Sequence, residues 1–299
     1  GVHRDLHSFP TRRSSDLVSC CIVILTGCLI VFDMAVMGQS TNQVTERKET
    51  VIRLIDTADS LIKIQLVESA RPYVQQAQEL KDQYQMELTY SQLLTLAQSW
   101  ADVFEPMRGS AIIRTLLLTI PEGDRVKRCV LNDKLARYVN QTGQFQEAET
   151  MFRKNLATAE LNGLDSCKAL AYWGLSISLG AMQQEDEQIR AAKSMAWIAR
   201  RNNFTELEAI AYYMAGYGYY QAKKSDLAIE NLEKSVRISE LAGLPLRTLA
   251  AHMLIAWVYY TEGHKTQAIS WYRASLELAR SSRQKTNHCN ILGRIGTIY

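Results

Sequence analysis

The sequence predicts an all-α fold: a right-handed α-solenoid of antiparallel helix hairpins, repeating about every forty residues. Three observations predict it. Helix breakers are sparse, with 5 Pro and 15 Gly in 299 residues. No alternating Val, Ile and Thr runs bounded by turn residues occur, so strands have little support. Third, the segments LARYVNQTGQFQEAETMFRKNL (135–156), AGYGYYQAKKSDLAIENLEKSV (215–236) and IAWVYYTEGHKTQAISWYRASL (255–276) align without a gap.

Ahead of the repeats stand three short regions. Residues 1–17 include HSFPTRRSSDL, which resembles one reading frame of a sequencing-library adapter translated by accident, so they are expected to carry no function. From Val18 to Met37 the chain is apolar except for Ser19, Thr26, Gly27 and Asp33, then turns polar at GQSTNQVTERKET. About twenty such residues could span a bilayer, but Asp33 is costly there. The small residues of AVMGQS offer a cleavage point after Gly38, so a signal peptide is favoured over a membrane anchor across residues 18–38. Leu25-Thr26-Gly27-Cys28 also resembles a lipobox, although the apolar run continues past it. Residues 39–50 are expected to be a polar linker and residues 51–299 the array.

Within the aligned segments the second place is small (Ala136, Gly216, Ala256), and twelve residues on stands Ala (Ala148, Ala228, Ala268). A bulky residue follows four later, at Phe152, Leu232 and Tyr272. Small residues let two antiparallel helices approach to about 8 Å while large ones fill the groove beside them. The pattern resembles the tetratricopeptide repeat, whose turn Gly corresponds to Gly143 and Gly263 and whose aromatic corresponds to Phe145. Extending the register places small residues at Ala58, Ala97, Ala136, Gly174, Gly216, Ala256 and Gly296. That gives six hairpins and a seventh cut short at Tyr299, so both ends are expected to be those of a fragment. The first two units keep Ala70 and Gly109 twelve places on, with Pro72 and Pro106 expected in or near the first turn of a second helix. In the fourth unit the polar QQEDEQ predicts a turn about two residues longer, with no Ala at the twelfth place.

Composition narrows function mainly by exclusion. The chain is 47% hydrophobic and 22% charged, ordinary for a soluble domain with a sizeable core, and its formal net charge is only +3. Leaving out residues 1–17 removes three Arg and two Asp, which takes the charge to +2 and gives no nucleic-acid footprint. Beyond the apolar segment, Cys129, Cys167 and Cys289 are widely spaced, which suggests buried free thiols and neither a disulfide framework nor a zinc site. His252, His264 and His288 stand in no catalytic pattern, and no phosphate-cradling loop, HExxH or GxSxG occurs. No enzymatic activity, cofactor or metal is expected.

The resemblance implies binding. First-helix positions of the family line a concave face, and those offsets select Asp133, Arg137 and Asn140 in the third unit. They select Tyr213, Tyr217 and Tyr220 in the fifth, and Met253, Trp257 and Tyr260 in the sixth. Aromatic side chains with a polar handle suit binding hot spots, although at helical spacing they also suit a core. The Lys/Asn arrangement with which some members clamp a C-terminal carboxylate is replaced here by Tyr213, Tyr217, Met253 and Trp257.

The chain is therefore expected to bind a protein or peptide and no nucleic acid, with possible membrane attachment through 18–37. It resembles the extracytoplasmic sensory half of bacterial membrane proteins in which repeats precede a membrane span and an output module, which implies an exported protein. The alternative is a periplasmic or membrane-anchored assembly scaffold without signalling output.

Overall fold

The computed structural model describes residues 43–298 except Gln65, Arg283 and Gln284, and gives no side-chain placement for Lys285 and Thr286. The expectations for residues 1–17 and 18–38 lie outside the described residues. Within them there are thirteen helices and no strand. They are α1 (43–63), α2 (Val67–Gln83), α3 (Tyr90–Asp102), α4 (Pro106–Thr119), α5 (Arg125–Gln141), α6 (Phe145–Leu161) and α7 (Asp165–Ala181). There follow α8 (Glu185–Arg201), α9 (Thr205–Gln221), α10 (Ser225–Leu241), α11 (Pro245–Thr261), α12 (Lys265–Ser281) and α13 (Lys285–Ile298). Residues 43–50 already belong to helix α1, so part of the stretch expected to be linker is helical. No helix of the described residues is long and apolar enough to cross a membrane.

Each helix packs on the next in sequence, which pairs them as six antiparallel hairpins with α13 against the last. From α5 the layout is strictly periodic: α5 to α12 each have 17 residues and begin at 125, 145, 165, 185, 205, 225, 245 and 265. The turns explain this regularity. The second residue of each three-residue turn adopts left-handed φ, at Gly143 (84°), Gly163 (65°), Gln183 (59°), Asn203 (58°), Lys223 (57°), Gly243 (65°) and Gly263 (83°). In six of these turns the following residue returns its N–H to a carbonyl five back, for instance Gln184 to Leu179 and Lys224 to Tyr219, both at 2.9 Å. Carbonyls orphaned at the helix end are satisfied this way. Three of the turns do so without glycine, at a conformational cost of about 1 kcal/mol each. Lys223→Gly is accordingly expected to raise stability by about 1 kcal/mol, read as a higher urea midpoint with unchanged slope.

The fourth hairpin differs from expectation. Its turn, 182–184, has the same three residues as its neighbours, and the residue equivalent to Ala136 and Gly216 is Ser176 rather than Gly174. The period is thus forty throughout this part, without the slip of two inferred from Gly174. The twelfth place holds Gln188, fully buried, and Ser176 Oγ donates to its backbone carbonyl at 3.1 Å. Space for that larger side chain comes from two glycines: a Cβ at Gly180 would lie 2.9 Å from the Gln188 amide, and one at Gly218 would lie 3.2 Å from it. Gly174 serves another contact, since a Cβ there would stand 2.1 Å from the Phe152 ring of the preceding hairpin. Gly216 packs within its own hairpin, against Leu232.

Smaller departures have local causes. Pro106 opens α4 as expected, where a missing N–H costs little. Pro72 instead lies inside α2, beyond its first turn. Cys129 and Cys167 are buried beside Ala159, and hydrogen bonding to Cys167 together with burial pushes the Cys129 thiol up; Cys289 is exposed rather than buried.

Curvature follows from which helices meet their counterparts. Helix α5 touches α7, α7 touches α9, and α9 touches α11, whereas no even-numbered helix packs comparably on the next even one. The odd helices therefore crowd the inner face and the even helices splay on the outer face.

An aromatic stripe on the inner face

The odd helices carry the predicted site residues at corresponding places: Asp133, Arg137 and Asn140 on α5, Tyr213, Tyr217 and Tyr220 on α9, Met253, Trp257 and Tyr260 on α11. All are half-buried except Asp133, which is buried at 4% exposure. Its carboxylate accepts from Arg137 Nε at 2.7 Å, while burial raises its pKa against the opposing pull of that guanidinium. Asn140 is also committed, its Oδ1 accepting from Ser178 Oγ at 2.8 Å.

The corrected register adds α7 to this face with Trp173 and Ile177. Trp173 is the residue that sequence reasoning missed, because the slip of two in the fourth unit displaced it; the constant forty-residue spacing from Asp133 to Tyr213 would have found it. The Arg137 guanidinium stands 4.1 Å from the Trp173 ring centroid, and Arg247 of α11 stands 5.9 Å from it. Arg247 is itself bonded to Glu206 at 2.9 and 3.0 Å. Trp173, Tyr213, Ile210, Met214 and Arg247 line a cleft of about 250 Å³. Burial and the neighbouring Tyr217 push the Tyr213 phenol up, so it is a neutral donor at ordinary pH.

Further along, Trp257 Nε1 donates to the Tyr220 hydroxyl at 2.8 Å, tying α11 to α9. Tyr217 and Tyr220 have ring centroids 6.5 Å apart, and Trp257 and Tyr260 5.5 Å. Arg294 of α13 lies 4.9 Å over Trp257. Five of the predicted aromatics thus join Trp173 in one band of ring faces with hydroxyl tips, and its guanidinium groups are held against rings or carboxylates. Such a band offers large apolar contact at low entropy cost together with fixed hydrogen-bond points. Among the described residues no group of three or more His, Cys, Asp or Glu is arranged to hold a metal ion.

Comparison with known proteins agrees with this architecture. The family model for the tetratricopeptide repeat matches residues 209–240 and 249–282, the fifth and sixth hairpins. No curated protein matches the sequence. Among solved structures, BtubC (BKLC) from P. vanneervenii is 16% identical with a TM-score of 0.56, covering 78% of this chain and 92% of that one. A Rap protein complexed with Competence and Sporulation Factor is 13% identical with a TM-score of 0.58, covering 81% and 80%. Aspartyl phosphate phosphatase F from Bacillus subtilis is 10% identical with a TM-score of 0.59, covering 83% and 78%. At these identities the likeness is one of fold. The chain carries tetratricopeptide repeats at residues 209–240 and 249–282 and folds, over the described residues, as the helical-hairpin solenoid that such repeats build.

Proposed function

We propose that the chain binds a peptide or protein segment along its inner face, through the band from Arg137 and Trp173 to Trp257 and Tyr260. The observation that carries this reading is the continuity of that band: aromatic faces from α7, α9 and α11 fall side by side, with Trp173 opening onto a cleft. A core would bury these rings fully, yet they stay partly exposed on the face where the odd helices meet. The Rap protein of similar fold, solved with a bound factor, supports the use of such an array for capture. An extended segment with apolar and aromatic side chains suits the band, since its guanidinium groups are already engaged.

Panning a random peptide library against the chain is expected to enrich such segments. Trp257→Ala combined with Tyr217→Ala should then abolish their capture while helical circular dichroism is retained. Capture at wild-type strength by the double variant refutes the reading.

Its setting is proposed as the extracytoplasmic sensory or interaction part of a longer bacterial signalling protein, exported or attached through residues 18–37. The signal-like composition of Val18 to Gly38 directly before the repeats motivates this. A complete gene without an apolar span of about 20 residues beyond the last repeat would remove the sensory version.

A further inference from the structure

The outer face holds grooves at three successive hairpin junctions, built from equivalent positions forty residues apart. The first, between α6 and α8, has a cavity of about 440 Å³ whose lining includes Glu160, Lys168, Tyr172 and Trp197. The second, between α8 and α10, has about 390 Å³ and is lined by Arg200, Glu208, Tyr212, Lys234 and Arg237. Here the polar groups satisfy one another: Arg200 donates to Glu208 at 2.8 Å and to the Tyr212 hydroxyl.

The third groove, between α10 and α12, breaks the series. Thr248 replaces Glu208, His252 replaces Tyr212 and Ala274 replaces Lys234, and the cavity widens to about 600 Å³. Its charge also reverses, because Glu240 and Glu277 stand where Arg200 and Arg237 stood, and no Lys or Arg lines it. Glu277 makes a long, exposed pair with Arg280 at 3.4 Å. Glu240 meets no cation among the described residues, and its nearest partner is His252 Nε2 at 4.0 Å. His252 lines this cavity at 8% exposure, and its Nδ1, turned away from the open space, has no hydrogen-bond partner among the described residues. Burial holds its pKa below the ordinary imidazole value, so near neutral pH the ring is neutral and brings no competing charge to the two carboxylates. Trp271 packs edge-on against it, 4.9 Å between centroids.

We propose that this cavity is a second binding site, on the side opposite the aromatic band, that takes an arginine side chain of a partner chain. Its guanidinium lies between Glu240 on α10 and Glu277 on α12, beside the His252 ring that forms part of the wall. A planar fork of five donors can reach carboxylates on two facing helices at once, which a single ammonium does less well. The walls contributed by Leu244, Pro245, Ala274 and Leu278 suit the methylene stem.

The test is titration of the full chain with acetyl-Ala-Arg-Ala-amide, followed by NMR or calorimetry, beside the same peptide carrying lysine or the neutral isostere citrulline. The arginine peptide is expected to saturate, and citrulline to bind about tenfold more weakly or worse, since charge-assisted hydrogen bonds are roughly twice as strong as neutral ones. Glu240→Gln and Glu277→Gln, both at exposed carboxylates, should each weaken arginine binding several-fold. His252→Tyr, which installs the residue of the preceding groove, should block it. Trp257→Ala with Tyr217→Ala should leave it unchanged, so this site and the aromatic band fail separately. No saturation at millimolar peptide, equal binding of citrulline, undiminished binding to His252→Tyr, or loss in the aromatic-band variant would each overturn the proposal.

Discussion

Phe152→Ala is expected to cost about 3–5 kcal/mol of stability, the range for deleting a fully buried aromatic ring. The ring is 1% exposed and lies at the junction of the third and fourth hairpins, in a cluster with Ala136, Val139, Ala148, Leu175 and Leu179. Because each hairpin of a solenoid buries its face only against its neighbours, loss of this contact weakens the coupling between the two halves of the array. Gly174 sits directly under the ring, with the site of a Cβ 2.1 to 2.4 Å from three ring atoms. Gly174→Ala alone is therefore an overpacking change worth about 1–3 kcal/mol. The pair should not add: once the ring is gone, the methyl enters the vacated space, and the double variant should fall short of the sum by at least about 0.5 kcal/mol. Urea denaturation followed by far-ultraviolet circular dichroism measures all three variants. Strict additivity would mean that the ring and Gly174 do not share this space.

The second large effect concerns binding. For a peptide selected on the wild-type chain, Trp173→Ala is expected to weaken binding by about 2 kcal/mol, roughly thirtyfold in Kd, as for a central aromatic hot spot. The reason is positional. Trp173 joins the α5 part of the band to the α9 and α11 part, stacked between Arg137 and Arg247 at the mouth of the cleft. Its removal also frees both guanidinium groups from their stacking partner, adding the cost of reordering them. Trp197→Ala is the matched control: at 63% exposure on α8 it lines an outer-face groove and should leave the peptide's affinity unchanged. Peptide affinity that survives Trp173→Ala but not the Trp257 and Tyr217 pair would confine the site to α9 and α11.

Much of the fold was legible because repeats state their geometry several times over. Ala136, Gly216 and Ala256, each followed twelve places on by Ala, define the helix contact, and Gly143 and Gly263 mark turns. The fourth hairpin was misread because two signals failed together. Gln183 takes the left-handed turn position without being glycine, and Ser176 with Gln188 fills places that are Gly or Ala elsewhere. Gly174 then attracted the register, although its small size serves a contact with Phe152 from another hairpin. A sequence window sees the neighbours of a residue along the chain, while this glycine answers to a ring 22 positions away across a helix junction.

The candidate site divides in the same way. Periodicity by itself determined the helical hairpins, their antiparallel pairing and the face on which Tyr213, Tyr217, Trp257 and their companions fall, because a helix projects every place of its repeat in a fixed direction. Tertiary structure alone decided the rest: that Asp133 is buried under Arg137, that Trp173 stands between two arginines, and that one outer groove of three is wide and acidic. These depend on how far one hairpin is rotated on the next and on which side chains fill the junction. The Trp173 contacts span 36 and 74 residues, and their energies come from packing and charge placement between hairpins rather than from the preference of any single helix.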